Sequence, residues 1–321
     1  MKTQQQVDPA GGMNRAIATE STLATITVTF NPSLSQLEAQ LYVLPEPSIK
    51  VIVDNASHPE LRAEVAMLVR RFRNVHLICS ETNQGLAAAI NLGAQWLSAL
   101  EQKPELVLLL DQDSEPLHGS IEALMTAFLQ LSSSGDAVGA VGPLLQDPVT
   151  GLTHGFHQST RLRWTRAYPS ACSSTPVPCS NLNGSGTLMS LALFRDLGGL
   201  DEDLFIDHVD TEWAFRILAH GYKLWGIPNA VFKHSMGEAS TRIWLFGWRV
   251  WPVRSPIRHQ YLYRNAVLLM KRPYVPSVWK VWAIAKLALT AGVTTVAGPL
   301  RVQQLSNMWR GVVVGLKSRT D

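Results

Sequence analysis

Over residues 22 to 150, short apolar runs rich in Val, Ile, Leu and Thr alternate with longer segments of helical periodicity. This alternation is typical of a mainly parallel sheet with helices on its faces. With 321 residues, 46% of them hydrophobic, the chain can bury a substantial core. The sequence therefore predicts an α/β fold, with strands at 24–30, 49–53, 76–79, 106–110 and 138–141, and helices at 34–44, 60–72, 86–100 and 120–131.

Polar residues follow three of the predicted strands at their carboxyl ends. Asn31 follows the first strand, Asp54 and Asn55 follow the second, and Asp111 and Asp113 follow the fourth. Open α/β sheets bind ligands outside the carboxyl ends of their strands. We therefore expect a ligand site at this edge of the sheet.

Asp111 and Asp113 come directly after the apolar run 106–110. Residues two apart in an extended segment point the same way, so both carboxylates can reach one cation. A hard divalent cation such as Mg2+ or Mn2+ prefers oxygen ligands, and a bound diphosphate would complete its coordination. A polar turn is the alternative for such a pair in isolation, but its place at the exit of a central strand favours a metal site.

A second group of polar residues suits a nucleotide. The Asp54 carboxylate can accept a hydrogen bond from the imide N–H of uracil or thymine, and the alternative is a turn or helix-capping aspartate. Asn83, Gly85 and Asn91 surround the start of the third helix, where Gly85 permits close backbone approach and Asn83 can contact a ribose or cap the helix. The G-x-G-x-x-G fingerprint of dinucleotide-binding proteins is absent from this segment.

Six acidic residues lie between positions 201 and 212, here called the acidic segment, which leads into a predicted helix at 209–220. Asp207 and Asp210 are three apart, which predicts that they share one helical face. An anion near a helix N-terminus is kept ionised by the macrodipole, as a catalytic base must be at neutral pH. The alternative is a solvated acidic cap.

His234 follows an apolar run, and a lone histidine in such a place is usually a packed or surface residue. Beside two aspartates it becomes a plausible third metal ligand through a neutral ring nitrogen.

The C-terminal quarter differs in charge from the rest of the chain. Residues 239–321 carry 13 Lys or Arg against one acidic residue, whereas residues 1–238 carry 15 against 24, and six of the ten tryptophans lie in this quarter. Basic residues among tryptophans suit an anionic membrane surface, although the longest uncharged apolar run, 287–300, is too short to span a bilayer. These patterns predict a basic, Trp-rich helical segment that lies either against the main domain or on a membrane surface.

The predicted organisation is a disordered leader at 1–21, a catalytic domain at 22–238 and the helical segment at 239–321. The catalytic domain divides into a nucleotide-binding half, 22–115, and an acceptor and catalytic half, 116–238. No secretion signal opens the chain, and its three cysteines, Cys79, Cys172 and Cys179, lack metal-ligand spacing. We therefore expect a cytoplasmic protein associated peripherally with the inner face of the cell membrane.

Together these motifs resemble the inverting glycosyltransferases of family 2, which have the GT-A fold, and within them the rhamnosyltransferase branch. The resemblance covers residues 22 to about 270. Its motifs are TFNP at 29–32, VDN at 53–55, NQG at 83–85, NLG at 91–93, LDQDS at 110–114, LFIDHVDTE at 204–212 and RN at 264–265.

The resemblance implies roles for individual residues. The metal, Mg2+ or Mn2+, would be held by Asp113 and His234, with Asp111 as an additional ligand. The second acid of the family's usual Glu-Asp pair falls on Asp210, which would be the catalytic base. The first acid of the pair falls on Val209, and Asp207 and Glu212 are weaker alternatives for the base. The nucleotide sugar would be bound by Thr29, Phe30, Asn31, Asp54, Asn83, Gly85, Asn91, Asp111, Gln112 and Arg264.

The implied reaction is a single displacement in which an acceptor hydroxyl attacks the anomeric carbon and inverts it. The donor suggested by the resemblance is dTDP-L-rhamnose, and the acceptor is a lipid-linked glycan or a glycolipid. Another donor, such as a UDP-hexose or UDP-galactofuranose, is the nearest alternative, followed by a non-catalytic nucleotide-binding or membrane adaptor protein. A dehydrogenase is disfavoured by the missing glycine fingerprint, and the tryptophans beside aliphatic runs favour lipid over nucleic acid as the partner of the basic tail.

Overall fold

A computed structural model describes residues 22–148, 151–234, 239–244 and 248–318. The predicted leader, 1–21, lies outside these residues. The strands in chain order are β1 (Leu23–Thr29), β2 (Ile49–Asp54), β3 (Val75–Cys79), β4 (Leu106–Asp111), β5 (Glu115–Pro116), β6 (Val138–Gln146), β7 (Phe156–Ser159), β8 (Trp164–Ala167), β9 (Val177–Cys179), β10 (Leu188–Ser190), β11 (Lys223–Lys233), β12 (Ala239–Trp244) and β13 (Trp248–Val253). The helices are α1 (Leu34–Val43), α2 (Pro59–Val69), α3 (Leu86–Ser98), α4 (Ser120–Ser133), α5 (Leu191–Asp196), α6 (Val209–Ala219), α7 (Pro256–Lys271), α8 (Ser277–Ala297) and α9 (Arg301–Lys317), and a 3-10 helix covers Glu202–Leu204.

Most strands of the described chain form one sheet in the order β3-β2-β1-β4-β10-β6-β11-β5, with β9 also paired to β11. The first four strands in this order are parallel to one another, and β6 is parallel to β11. The short strand β10 runs antiparallel to both of its neighbours, β4 and β6. The predicted mixed, mainly parallel α/β sheet is therefore confirmed.

The side chains of the central strands alternate between two cores. On β4, Val107 and Leu109 belong to a core shared with α3, α5 and α6, whereas Leu106, Leu108 and Leu110 belong to a core shared with α1, α2 and α4. Burial of each such side chain contributes roughly 1.5–3 kcal/mol. Both faces of β4 are therefore apolar, and its one polar side chain, Asp111, lies at its carboxyl end.

The region between Asp147 and Ser185 is rich in Ser, Thr, Pro and Gly but contains regular structure. The strands β7 and β8 form an antiparallel hairpin, and β9 joins the main sheet beside β11. These strands are only three or four residues long, so their period-two pattern is too short to stand out among the Ser, Thr and Pro residues around them.

The C-terminal segment begins with the antiparallel hairpin β12–β13 and continues with α7, α8 and α9. The helical prediction is confirmed for residues 256–317 and wrong for 239–244 and 248–253, where Thr, Ile, Val and Trp favour strands. Helices α7 and α9 approach closely at Gly311, where an added Cβ would lie 2.4 Å from the carbonyl oxygen of Gln260. Among the described residues, no helix has the length and apolar character needed to cross a membrane.

Candidate active site

The register of the central strands brings the predicted polar residues to one edge of the sheet. Thr29, at the end of β1, is paired with Asp54 on β2, and the preceding Val28 is paired with Asp111 on β4. Because these strands are parallel, their carboxyl ends share one edge, as expected.

Asp111, Asp113 and His234 come together at this edge, and the atoms that could bind a metal all lie within 4.8 Å of one another. His234 Nε2 is 3.7 Å from an Asp111 oxygen, and His234 Nδ1 is 3.3 Å from an Asp113 oxygen. The short strand β5 causes this meeting, because Glu115 pairs with Lys233 and so places the residue after β11 beside the turn after β4. The structure thus assembles the three predicted metal ligands.

The electrostatics of this group suit a cation. Burial raises the pKa of Asp111; the charge of His234 opposes this shift, and that of Asp113 adds to it. Burial acts against protonation of His234, but the carboxylates of Asp113 and Asp111 outweigh it and raise its pKa. The buried Nδ1 atom of His234 has no well-directed hydrogen bond to any described residue, despite its proximity to Asp113. Two carboxylates and an imidazole fit a divalent ion such as Mn2+, whereas Mg2+ more often takes oxygen ligands alone.

A buried glutamine on α1 holds the turn that carries both aspartates. Gln40 is 1% exposed, and its Nε2 donates hydrogen bonds of 2.8 Å to the carbonyl oxygens of Asp111 and Ser114. Its Oε1 accepts a 2.8 Å hydrogen bond from the Thr27 hydroxyl, which ties the turn to β1. Sequence reasoning missed Gln40, and its only local signal is a polar residue on the apolar face of α1.

Asp54 is fully buried, and its carboxylate is already engaged. It accepts hydrogen bonds from the hydroxyl of Thr29 at 3.2 Å and the hydroxyl of Ser57 at 2.5 Å, and Arg62 Nε lies 3.3 Å away. In this structure Asp54 therefore organises the loop after β2. Its predicted contact with the base stays a prediction.

The loop before α3 is anchored to the same edge by Asn55. The Asn55 amide donates 3.1 Å hydrogen bonds to the Asn83 side chain and to the Gly85 carbonyl oxygen. Gly85 has a φ of +88°, and an added Cβ would lie 2.6 Å from Phe205 in the acidic segment. Only glycine fits there without rearrangement, which brings the α3 loop against the acidic segment.

The remaining predicted nucleotide ligands divide into two groups. Phe30 is 47% exposed at the edge of the sheet, and its N–H donates a 2.8 Å hydrogen bond to the side chain of Gln112. Asn31 also lies at this edge, where its side chain accepts a 2.9 Å hydrogen bond from the N–H of His58. Asn91 lies elsewhere on α3, and its side chain binds both backbone groups of Leu200 at 2.8 Å. Phe30, Asn31 and Gln112 thus remain near the site, whereas Asn91 holds the acidic segment.

Asp210 lies in the first turn of α6 and accepts a 2.7 Å hydrogen bond from the N–H of Thr211. Burial raises its pKa; backbone hydrogen bonds from Thr211 and Gly184 oppose the shift, and the charge of Asp111 adds to it. The N-terminus of the helix thus does stabilise the anion, as expected, but burial outweighs it. Asp210 is thus a half-buried carboxylate with a raised pKa whose charge interacts with that of Asp111, an arrangement that would suit a general base.

Asp207 and Glu212, the alternative bases, are engaged elsewhere. Asp207 precedes α6 with a φ of +59°, so the prediction that it shares a helical face with Asp210 is wrong. The Asp207 carboxylate lies 3.3 Å from Arg258. Glu212 is 1% exposed and forms ion pairs with Arg216 at 2.7 Å and Arg272 at 3.0 Å. Both carboxylates therefore form ion pairs, whereas Asp210 has no cation within ion-pair distance among the described residues.

The loop between the 3-10 helix and α6 is held by side chains of α7. Asn265 on α7 is fully buried, and its Nδ2 donates to the carbonyl oxygens of Leu204, Ile206 and Asp207 at 2.6–2.9 Å. The adjacent Arg264, predicted to contact the nucleotide sugar, donates to the carbonyl oxygen of Leu204 at 3.1 Å and to that of Asp203. These contacts support a loop in which Phe205, Asp207 and His208 all have positive φ.

Known proteins share both sequence and fold with this chain. The family model for Glycosyl transferase family 2 matches residues 33–169. The dTDP-rhamnosyl transferase RfbF of Shigella flexneri is 32% identical over 265 residues, covering 80% of this chain and 82% of that protein. The N-acetylglucosaminyl-diphospho-decaprenol L-rhamnosyltransferase of Mycobacterium tuberculosis is 24% identical over 251 residues, covering 68% of this chain and 78% of that protein.

Solved glycosyltransferase structures share the fold. The mannosyltransferase PcManGT of Pyrobaculum calidifontis, in complex with GDP-Man and Mn2+, superposes with a TM-score of 0.55 at 18% identity, covering 92% of this chain and 87% of that one. GalNAc-T7, with UDP, GalNAc and Mn2+, gives a TM-score of 0.58 at 18% identity, and the match covers 89% of this chain and 55% of that longer one. The fold and the curated relatives agree: this chain belongs to glycosyl transferase family 2, in its rhamnosyltransferase branch, and is a glycosyltransferase.

Proposed function

We propose that this enzyme transfers L-rhamnose from dTDP-L-rhamnose to a hydroxyl group of a lipid-linked glycan or glycolipid, with inversion at the anomeric carbon. The observation that carries the proposal is the half-buried carboxylate of Asp210, with its raised pKa, in charge interaction with Asp111 of the group formed by Asp111, Asp113 and His234. The donor is supported by the name of the Shigella flexneri relative, and the lipid-linked acceptor by that of the Mycobacterium tuberculosis relative.

In this proposal Asp210 accepts the proton of the acceptor hydroxyl as its oxygen attacks the anomeric carbon. Burial of Asp210 raises the pKa of its carboxyl group, which makes the anion a stronger base. Asp111, Asp113 and His234 would hold a divalent ion, Mg2+ or Mn2+, that neutralises charge on the departing diphosphate. The nucleotide side of the site would be formed by Thr29, Phe30, Asn31, Asp54, Asn83, Gly85 and Gln112. Asn91 and Arg264 would act indirectly, by holding the acidic segment.

A donor panel tests the proposed reaction. With a crude lipid extract as acceptor, dTDP-L-rhamnose is expected to release its nucleoside diphosphate about a hundredfold faster than UDP-glucose or UDP-galactofuranose, because the site discriminates by hydrogen bonds to base and sugar. EDTA should abolish the release. Equal rates for a UDP-sugar would contradict the proposed donor, and activity that is unaffected by EDTA would contradict the metal.

We also propose that the enzyme binds the inner face of the cell membrane through α8. Its outward face is apolar, with Val281 69%, Ile284 58% and Val296 76% exposed. Ala285, Ala288 and Gly292 lie between them at intervals of three or four residues, so the exposed positions form one stripe. An apolar stripe in a basic segment suits the interface of an anionic bilayer.

Replacing Val281 and Val296 together by glutamine should weaken binding to phosphatidylcholine vesicles that contain phosphatidylglycerol by about tenfold to a hundredfold. Sedimentation with vesicles measures the effect. The matched control is the double replacement of Val43 and Met67 by glutamine, since these residues are 46% and 60% exposed on α1 and α2. Equal loss in both variants, or no loss in either, would contradict docking through α8.

A further inference from the structure

A cluster of aromatic side chains joins the β7–β8 hairpin to helix α8. The rings of His157 and Trp164 are stacked at 5.2 Å, and Trp282 on α8 lies 6.0 Å from Trp164 and 6.3 Å from His157. Trp164 also contacts Phe215 on α6, the helix that begins beside Asp210. The hairpin and α8 therefore meet next to the element that carries the proposed base.

Two cations flank this aromatic cluster, one from each element. Arg166 on β8 lies 3.2 Å from His157 through its Nε atom, and the ammonium group of Lys286 on α8 lies 4.7 Å from the centre of the Trp282 ring. Among the described residues, neither cation has a carboxylate within ion-pair distance. The proposed reaction does not use either of them.

The charges of Arg166 and Lys286 both affect the pKa values of neighbouring groups. Burial, followed by the charges of Arg166 and Lys286, lowers the pKa of His157 to about 3. Burial and the charges of Arg254 and Arg166 lower the pKa of Lys286 to about 8, while Asp207 and Asp210 oppose this shift. Lys286 and Arg166 thus form a positive region beside the base. Arginine and lysine side chains are the usual partners of phosphate groups.

Lys286 also lies along one margin of the exposed apolar face of α8. Leu289, one turn away, is 40% exposed, and Val296 is 76% exposed farther along the same helix. A ligand whose phosphate contacts Lys286 can therefore lay an apolar chain along α8. This combination matches an amphiphile with an anionic head and a hydrocarbon tail.

We propose that Lys286 and Arg166 bind a phosphate group of the lipid-linked acceptor, and that the adjacent apolar face of α8 receives its lipid. This inference rests on the proposed function, because it assigns a binding site to the acceptor of that reaction. It places the phosphate beside α6, so that a sugar linked to the phosphate can present its hydroxyl to Asp210. The aromatic rings of Trp164 and Trp282 provide surfaces for such a sugar.

The test is calorimetric binding of farnesyl diphosphate in the presence of Mn2+ and saturating dTDP, which occupies the donor site. Lys286→Gln and Arg166→Gln should each weaken binding by about tenfold to a hundredfold, because each loses a charge-assisted contact. Lys286→Arg should keep most of the affinity. The matched controls are Lys317→Gln and Arg310→Gln on the exposed side of α9, which should bind like the unmodified enzyme, and all variants should keep their affinity for dTDP.

Two further ligands separate phosphate from lipid recognition. Farnesol lacks the phosphates and inorganic pyrophosphate lacks the tail, so both should bind more weakly than farnesyl diphosphate. Equal binding of farnesol, or unchanged binding in both glutamine variants, would overturn the phosphate site. Equal binding of pyrophosphate would assign the site to a soluble ligand and overturn the lipid assignment. The result of this test does not depend on the result of the donor panel, because farnesyl diphosphate binding requires no sugar transfer. If the panel identifies another donor, the binding experiment can be repeated with that donor's nucleoside diphosphate.

Discussion

Replacing Asp210 by asparagine is expected to lower kcat by about 10²- to 10⁴-fold, the usual contribution of a general base, while the affinity for the donor stays nearly unchanged. Asparagine preserves the size of the side chain but cannot accept the proton of the acceptor hydroxyl. Asp210 accepts hydrogen bonds from Thr211 and Gly184, and among the described residues it forms no hydrogen bond with the predicted nucleotide ligands, so donor binding should be spared. Turnover with saturating donor and calorimetric binding of dTDP separate the two effects.

The pH dependence of turnover gives a second readout for Asp210. Because burial raises its pKa above the ordinary aspartate value of 3.8, kcat should fall as pH is lowered through this raised pKa and should level off above it. The matched control is Asp203→Asn, an exposed acid in the same segment. Near-normal turnover of Asp210→Asn, or an equal loss in Asp203→Asn, would contradict the role of Asp210 as base.

Replacing Asp113 by asparagine should weaken Mn2+-dependent binding of the donor by at least about a hundredfold, since a bound metal supplies several kcal/mol of charge stabilisation to the diphosphate. Asp113 lies 3.3 Å from His234, and its carboxylate is 27% exposed, so it remains accessible to a metal ion. Titration of dTDP into the enzyme with Mn2+ and with EDTA measures the effect. The variant should give the same weak affinity under both conditions.

Glu115→Gln is the matched control for Asp113. Glu115 lies two residues further along the chain, at the start of β5, and forms an ion pair with Lys233 across 2.9 Å, with its side chain 49% exposed. Exposed ion pairs contribute little, so this variant should retain its response to Mn2+. A metal response that survives in Asp113→Asn, or is lost equally in Glu115→Gln, would exclude Asp113 as the principal ligand.

The parts of the fold that were predictable depend on short-range pattern. The apolar run of β4 and the aspartates that follow it are adjacent in sequence, so both the strand and its polar exit follow from local spacing. The start of α6 at Val209 is also local, because acidic residues precede a run of apolar ones. The predicted meeting of Asp111, Asp113 and His234 was inferred from the chemistry of the three side chains, since no local spacing relates residues 113 and 234.

The parts that sequence alone did not predict depend on contacts between distant segments. Gln40 holds the turn after β4 from a position 71 residues earlier than Asp111, and Asn265 holds the loop before α6 from 61 residues after Leu204. Neither contact leaves a periodic signal. The position of Asp207 was mispredicted for a related reason: a positive φ at a non-glycine residue is imposed by such contacts and contradicts its intrinsic preference.

Asn265 has a consequence for how proteins of this kind can be recombined. The loop that leads to the proposed base is bound by α7, and α7 packs against α9, so the loop depends on the C-terminal segment. Exchanging C-terminal segments between two rhamnosyltransferases to alter acceptor choice would separate Asn265 from the carbonyl groups it binds. In a working chimera, residues 204–208 and α7 must therefore come from the same parent.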